Sequence, residues 1–261
     1  MPSDHNPPGG ISTRLVALSA DPADLPEIND YDSFAEAYAA SNENNLLNAY
    51  YERPAMLALA ADVAGRRILD AGCGSGPLFA ALRDRGAIVT GIDKSAGMLE
   101  LARRRLGADA DLHVADLASP LPFPDDTFDD VTASLVLHYL QDWAPALGEL
   151  RRVLKPGGRL IVSVDHPFVT FLAHREAGRE PDYFATYNHT DEWAVDGQTA
   201  LFSFWHRPLH AMTEAFSAAG FRIVEISEPA FASDTPRELL PDNMADKRRF
   251  LCFLFFVLQA D

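Results

Sequence analysis

Basic residues are scarce in this chain. Its 22 Lys and Arg face 38 Asp and Glu, a formal net charge of −16. Such a surface repels polyanions, which argues against a nucleic-acid partner. The only basic run, Arg103-Arg104-Arg105, reads as the solvated face of a helix. Long apolar runs are also missing. No stretch reaches the roughly 18 residues of a membrane span, and the most apolar segment, Phe250–Leu258, reads as a buried last strand. Two cysteines, Cys73 and Cys252, cannot build a disulfide framework, so both are expected as thiols in a cytoplasmic protein and the Asn188-His189-Thr190 sequon as unused. The first residues lack the charged and apolar regions of a secretory signal. His206 and His210 stand four apart, but Pro208 between them argues against a helical metal site, and no metal is expected.

What is present is a chain of 261 residues, 48% hydrophobic, enough for one large domain or a core with a modest cap. Its most informative stretch is Ile68-Leu69-Asp70-Ala71-Gly72-Cys73-Gly74-Ser75-Gly76, an apolar strand that ends on an acid and breaks into a glycine-rich turn. Glycines there leave no side chain between the backbone and a ligand above it. The helix that follows offers free N–H groups and its positive dipole end. A second strand, Ile88–Ile92, ends on Asp93, about 20 residues on, where an acid can hydrogen-bond a ribose diol. The spacing is G-x-G-x-G, not the G-x-G-x-x-G of dinucleotide sites. Asp70 beside the turn would repel a pyrophosphate, and it suits a ligand carrying positive charge.

Four stretches extend the pattern: Leu69–Gly76, Gly91–Ser95, Ala115–Asp129 and Leu150–Gly158. Together they resemble the class I S-adenosylmethionine-dependent methyltransferases, specifically the small-molecule, ubiquinone/menaquinone methyltransferase-like branch, over roughly residues 66 to 165. The resemblance implies a Rossmann-like, doubly wound, seven-stranded, mostly parallel sheet with an antiparallel last strand. It implies S-adenosyl-L-methionine as methyl donor, held by Asp70, Gly72, Cys73, Gly74, Gly76, Asp93, Lys94, Met98, Asp116, Leu117, Ser134 and Tyr38. Asp116 would lie beside the adenine amino group, and Leu117 would supply backbone and an apolar wall. Nothing like the N/D-P-P-Y/F motif of nucleic-acid amino-methyltransferases is present, and neither cysteine is placed for base C5 methylation. A small-molecule acceptor is therefore expected.

Strand and helix signals alternate from Arg66: strands near 66–71, 88–92, 111–115, 128–134 and 158–164, helices near 77–85, 95–105 and 143–154. Ser95 is a candidate N-cap and Pro156-Gly157-Gly158 a helix stop. The chain divides into a poorly ordered arm at 1–28, an N-terminal helical lid at 29–64, the donor-binding core at 65–165, an acceptor-side cap at 166–207, and a last helix with two strands at 208–261. The cap is crowded with aromatics, among them Tyr183, Phe184, Tyr187, Trp193, Phe202, Phe204 and Trp205. They could wall an aromatic or apolar acceptor pocket or simply fill a small cap core.

Catalytic candidates lie at two strand ends. His138 could act as a general base or be a packed histidine that orients a neighbour. Asp165-His166-Pro167 could hold an acceptor group through His166 or form a capped turn. Tyr31, Tyr38 and Arg53 could close over the donor. The expected reaction is in-line methyl transfer to an O, N or C nucleophile of a small molecule, by a monomer or homodimer. Two rival readings are an NAD(P)-dependent oxidoreductase and a non-catalytic donor-binding protein.

Overall fold

A computed structural model describes residues 12–15, 28–195, 198–241 and 247–261. In chain order the elements are β1 (Ser12–Leu15), α1 (Ala35–Asn44), α2 (Arg53–Ala60), β2 (Arg67–Ala71), α3 (Pro77–Asp84), β3 (Ile88–Asp93) and α4 (Ala96–Leu106). Then come β4 (Asp111–Val114), β5 (Phe128–Ser134), α5 (Ala144–Val153), β6 (Leu154–Asp165), α6 (Pro167–Glu176), β7 (Tyr187–Val195) and β8 (Gln198–His206). The chain closes with α7 (Leu209–Ala218), β9 (Phe221–Ser227) and β10 (Phe253–Ala260).

Among the described residues, seven strands form one sheet in the order β4-β3-β2-β5-β6-β10-β9. The first five run parallel, and β10 pairs antiparallel with both β6 and β9. The expected mostly parallel sheet is thus present, with its strand order reversing between β2 and β5. In such sheets a ligand crevice opens at the carboxyl ends of the strands flanking that reversal. Strand β2 is central because Ile68, Leu69, Asp70 and Ala71 are all buried, as a strand covered on both faces must be. One face packs against α2, α3 and α4 through Met56, Phe79 and Leu99, the other against α5 and α7 through Leu147, Leu150 and Phe216. At the amino ends, fully buried Asp130 is neutralised by Arg66 and Arg159, far along the strands from the crevice.

Ser95 caps α4 as expected, its Oγ accepting from Met98 N at 2.9 Å. Gly220, at φ +81°, follows α7. Other expectations need correction. The helix α5 does end before Pro156-Gly157-Gly158, but β6 already begins at Leu154 and runs through those residues. The last strand starts three residues later than the apolar run, at Phe253. Ser12–Leu15, inside the stretch expected as an arm, is a strand that pairs with β7; the rest of residues 1–27 lies outside the described residues. The cap is a helix followed by the β7–β8 hairpin, a second sheet of three strands. The arginine run is not merely solvated: Arg104 pairs with Glu36 and Arg105 with Glu43, fastening helix α1 onto α4.

Candidate functional site

The turn after β2 is shaped by its glycines. Gly72 and Gly74 take φ of +78° and +53°, conformations that side chains resist. A Cβ on Gly72 would lie 2.7 Å from Val136 Cγ2, whereas one on Gly74 would meet nothing within 4 Å. Gly74 therefore leaves open backbone facing a cavity of ≈ 490 Å³. The N–H groups of Gly72 and Cys73 donate to Ile92 O (2.8 and 2.9 Å), and Gly74 N donates to Asp93 Oδ2 (2.8 Å). The turn is thereby fixed to the end of β3.

Eleven of the expected donor residues line this cavity: Tyr38, Asp70, Gly72, Cys73, Gly74, Asp93, Lys94, Met98, Asp116, Leu117 and Ser134. Gly76 does not. Its missing Cβ makes room for Leu106 of α4 at 3.0 Å, so its role is helix packing. Asp93 also accepts from Ser95 N at 2.9 Å, and burial raises its carboxyl pKa. Lys94 reaches Asp116 at 3.3 Å on the rim.

Asp70 is almost wholly buried. Its Oδ1 accepts from Thr132 Oγ1 at 2.8 Å, while Oδ2 has no partner. Burial, reinforced by the nearby carboxylates of Glu52 and Asp93, pushes Asp70 up to about 7. Glu52, which sequence reasoning missed, belongs to a single π-helical turn, Asn48–Glu52, that feeds α2. Such turns recur at functional sites. Its Oε1 accepts from Ser134 Oγ and Ser163 Oγ, both at 2.7 Å, and burial raises its pKa. The only signal for it was an acid wedged between the core residues Tyr51 and Met56.

Part of the cavity lining is aromatic. Tyr31 and Tyr139 line it with their hydroxyls in mutual contact, and Tyr38 packs edge-on to Tyr31 with ring centroids 5.0 Å apart. Burial raises the pKa of all three phenols, Tyr31 and Tyr139 strongly, so they stand neutral near pH 7. Tyr139 is brought there by a strained corner. Leu135 at the end of β5 takes φ +48°, held by its N–H donating to Ser163 O (3.1 Å) and Oγ (3.0 Å). The loop bearing Tyr31 is stitched to β8: Asn29 N donates to Leu201 O (3.0 Å), and Ser203 N donates to Asn29 Oδ1 (2.8 Å). Phe202 then supports Tyr31 from behind at 4.9 Å. Asp32, next in the loop, accepts from Ser95 Oγ and from Gly97 N (2.8 Å) at the start of α4.

Both catalytic candidates fall outside this cavity. His138, one residue before Tyr139 on a 3₁₀ turn, lines a separate cavity of about 10 Å³ with Asp165, His189 and His206. Its Nδ1 lies 3.2 Å from Asp165 Oδ2, and burial lowers its pKa. His166 caps α6: Nδ1 accepts from Phe168 N (3.2 Å) while Nε2 faces Glu228 Oε1 (2.9 Å). Both of its ring nitrogens are committed to structure. Asp165 likewise holds a histidine and does not line the main cavity. Arg53 does line it, with Nη2 donating to Asn42 O and Oδ1, both at 3.2 Å.

Residues 69–162 match the family model of the methyltransferase domain. A demethylmenaquinone methyltransferase of Clavibacter sepedonicus is 43% identical over 136 residues, 51% of this chain and 55% of that protein. The chain thus spans about half the length of that relative. A Haemophilus influenzae protein is 29% identical over 227 residues, 80% of this chain and 88% of its own. Among solved structures, an S-adenosylmethionine-dependent methyltransferase from Mesorhizobium loti superposes with a TM-score of 0.57 at 27% identity, covering 79% of this chain and 96% of that one.

Proposed function

We propose that this chain, which belongs to the class I S-adenosylmethionine-dependent methyltransferases, moves a methyl group from that donor to a small apolar or aromatic acceptor. One observation carries the reading. A single cavity is lined by a buried carboxylate beside an open glycine turn and by three neutral tyrosines.

The residues present fit the donor. Asp70 offers its unpartnered Oδ2 to a cationic group, and the open face at Gly74 admits a ligand against backbone. Asp93 would take the ribose hydroxyls, Asp116 and Leu117 would flank the adenine, and Arg53 would meet the donor's carboxylate. Bound there, the donor supplies an electrophilic methyl group on a sulfonium. A dinucleotide fits poorly, because buried Asp70, directly before the glycine turn, would repel its pyrophosphate.

On this reading the chain accelerates transfer mainly by positioning. Tyr31, Tyr38 and Tyr139, with Leu135, Val136 and Leu140, enclose the acceptor end and keep water out. The phenols hydrogen-bond an acceptor oxygen or nitrogen without taking its proton, since they are themselves neutral. No histidine among the described residues lines the cavity, so an acceptor that ionises easily or binds as a neutral amine suits it best. A quinol-like acceptor draws support from the aromatic walls and from the demethylmenaquinone methyltransferase likeness.

The deciding experiment is calorimetric titration with S-adenosylmethionine, S-adenosylhomocysteine and NADH, repeated with Asp93→Ala. Micromolar binding of the first two, lost in the variant, is the expected result. Binding of NADH alone would overturn the reading and make a nicotinamide enzyme the working alternative. With donor binding established, turnover on a panel of phenols, quinols and amines separates O-, C- and N-transfer.

A further inference from the structure

We propose that Glu52 is the second arm of a two-carboxylate seat for the donor's α-ammonium group, with Asp70 as the first. The proposal rests on the donor reading above.

The seat is built into the sheet. Thr132 and Ser134 are two residues apart on β5, so they share a face and stand about 7 Å apart. Thr132 holds Asp70 Oδ1, and Ser134 holds Glu52 Oε1 together with Ser163, its register partner on β6. Each acid therefore has one oxygen anchored to hydroxyl donors of the sheet. The other oxygen is left over: Asp70 Oδ2 has no partner, and Glu52 Oε2 accepts no hydrogen bond among the described residues. Both anchored carboxylates belong to residues that line the same cavity.

Neither acid is ion-paired among the described residues, although both are buried and the Arg53 charge offsets part of the rise in the Glu52 pKa. Arg53, adjacent in sequence, directs its Nη2 to Asn42 instead. Buried carboxylates without a cation are costly, and a ligand that brings one recovers that cost on binding. The cation is not a metal ion. Calcium and magnesium need six or more oxygen ligands, and no group of three or more potential ligands gathers among the described residues. A primary ammonium, with three N–H donors and no acceptor, matches two unused carboxylate oxygens. Asp70 opens the glycine turn, which assigns this ammonium to the donor and not to an acceptor amine at the tyrosine end.

The test compares S-adenosylhomocysteine with its deamino analogue, in which hydrogen replaces the α-amino group, by calorimetry at pH 8. Glu52→Gln should weaken S-adenosylhomocysteine about ten- to hundredfold and leave the deamino analogue within about twofold. Ser163→Ala, which keeps the charge and loosens its anchor, should weaken only the first ligand, by a smaller factor. The wild type should also release protons on binding S-adenosylhomocysteine near pH 6.5, seen as buffer-dependent heat, and Glu52→Gln should release fewer. Equal losses for both ligands, in variants that melt cooperatively, would reduce Glu52 to a structural role. An unchanged affinity with a raised acceptor KM would move it to the acceptor and overturn the proposal. Failure of the wild type to bind either ligand is a separate result, which counts against the methyltransferase reading itself.

Discussion

The two ends of the cavity are made from different materials. The glycine-turn end is backbone and carboxylate, built by β2, β3 and β5 within about 65 residues and hydrogen-bonded to its own sheet. The tyrosine end is aromatic side chains drawn from a loop near residue 31, helix α1 and a corner at 139, backed by the hairpin at 187–206, which meet only in three dimensions. The first can recognise one ligand by fixed polar geometry. The second can be re-cut by changing side chains without disturbing the sheet.

Disabling one end at a time sharpens this contrast. The largest effect is expected from Asp70→Asn. Removing the carboxylate should cost at least about tenfold in affinity for S-adenosylhomocysteine by calorimetry. The same change should stabilise the free protein. Asp70 titrates near 7 when folded and near its ordinary value of 3.8 when unfolded. Between those values the folded state holds the extra proton, so wild-type stability falls as pH rises through this window and the cost is complete above about 7. Melting curves should show the variant above wild type at pH 8, with the gap closing toward pH 4.

At the other end, Tyr31→Phe combined with Tyr139→Phe removes the paired hydroxyls and keeps the rings. Steady-state kinetics should show the acceptor KM raised several-fold, with donor affinity by calorimetry within about twofold. A joint loss of both would mean that the two ends are not separable. A smaller effect is expected from Asp32→Ala, which removes a helix N-terminal cap from α4. Such caps contribute about 0.5–2 kcal/mol, and stopped-flow should show faster release of S-adenosylhomocysteine. The smallest concerns His138→Gln. Because the ring faces Asp165 and not the main cavity, kcat should stay within about twofold and its pH profile should not move.

The same divide governs what the sequence discloses. Strand β2, the glycine turn and Asp93 are local, so β2 is found within one residue of its expected start, and eleven of the residues expected to hold the donor line one cavity. Glu52 escaped notice because its neighbours Tyr51 and Met56 look like any buried helix face. Whether an acid there meets Ser134 and Ser163 depends on packing across more than 80 residues. An imidazole that titrates near neutrality makes His138 a catalytic candidate, yet past the positive φ of Leu135 it is the neighbouring Tyr139 that lines the cavity. No propensity announces that half-turn. The hairpin was more legible than its reading allowed. The Asp196-Gly197 pair between two alternating runs is a hairpin signal in the sequence.

Trp193 lies on the hairpin with its ring stacked on Tyr38, centroids 6.3 Å apart and planes 16° from parallel. Tyr38 in turn lines the cavity. Of the other two tryptophans, Trp143 is sealed in the core beneath Arg207 and Trp205 borders the small histidine cavity. An occupant that displaces Tyr38 therefore changes the surroundings of one indole and leaves the other two as internal references. The protein carries its own optical gauge of the tyrosine end, readable from selectively excited tryptophan emission without any label attached.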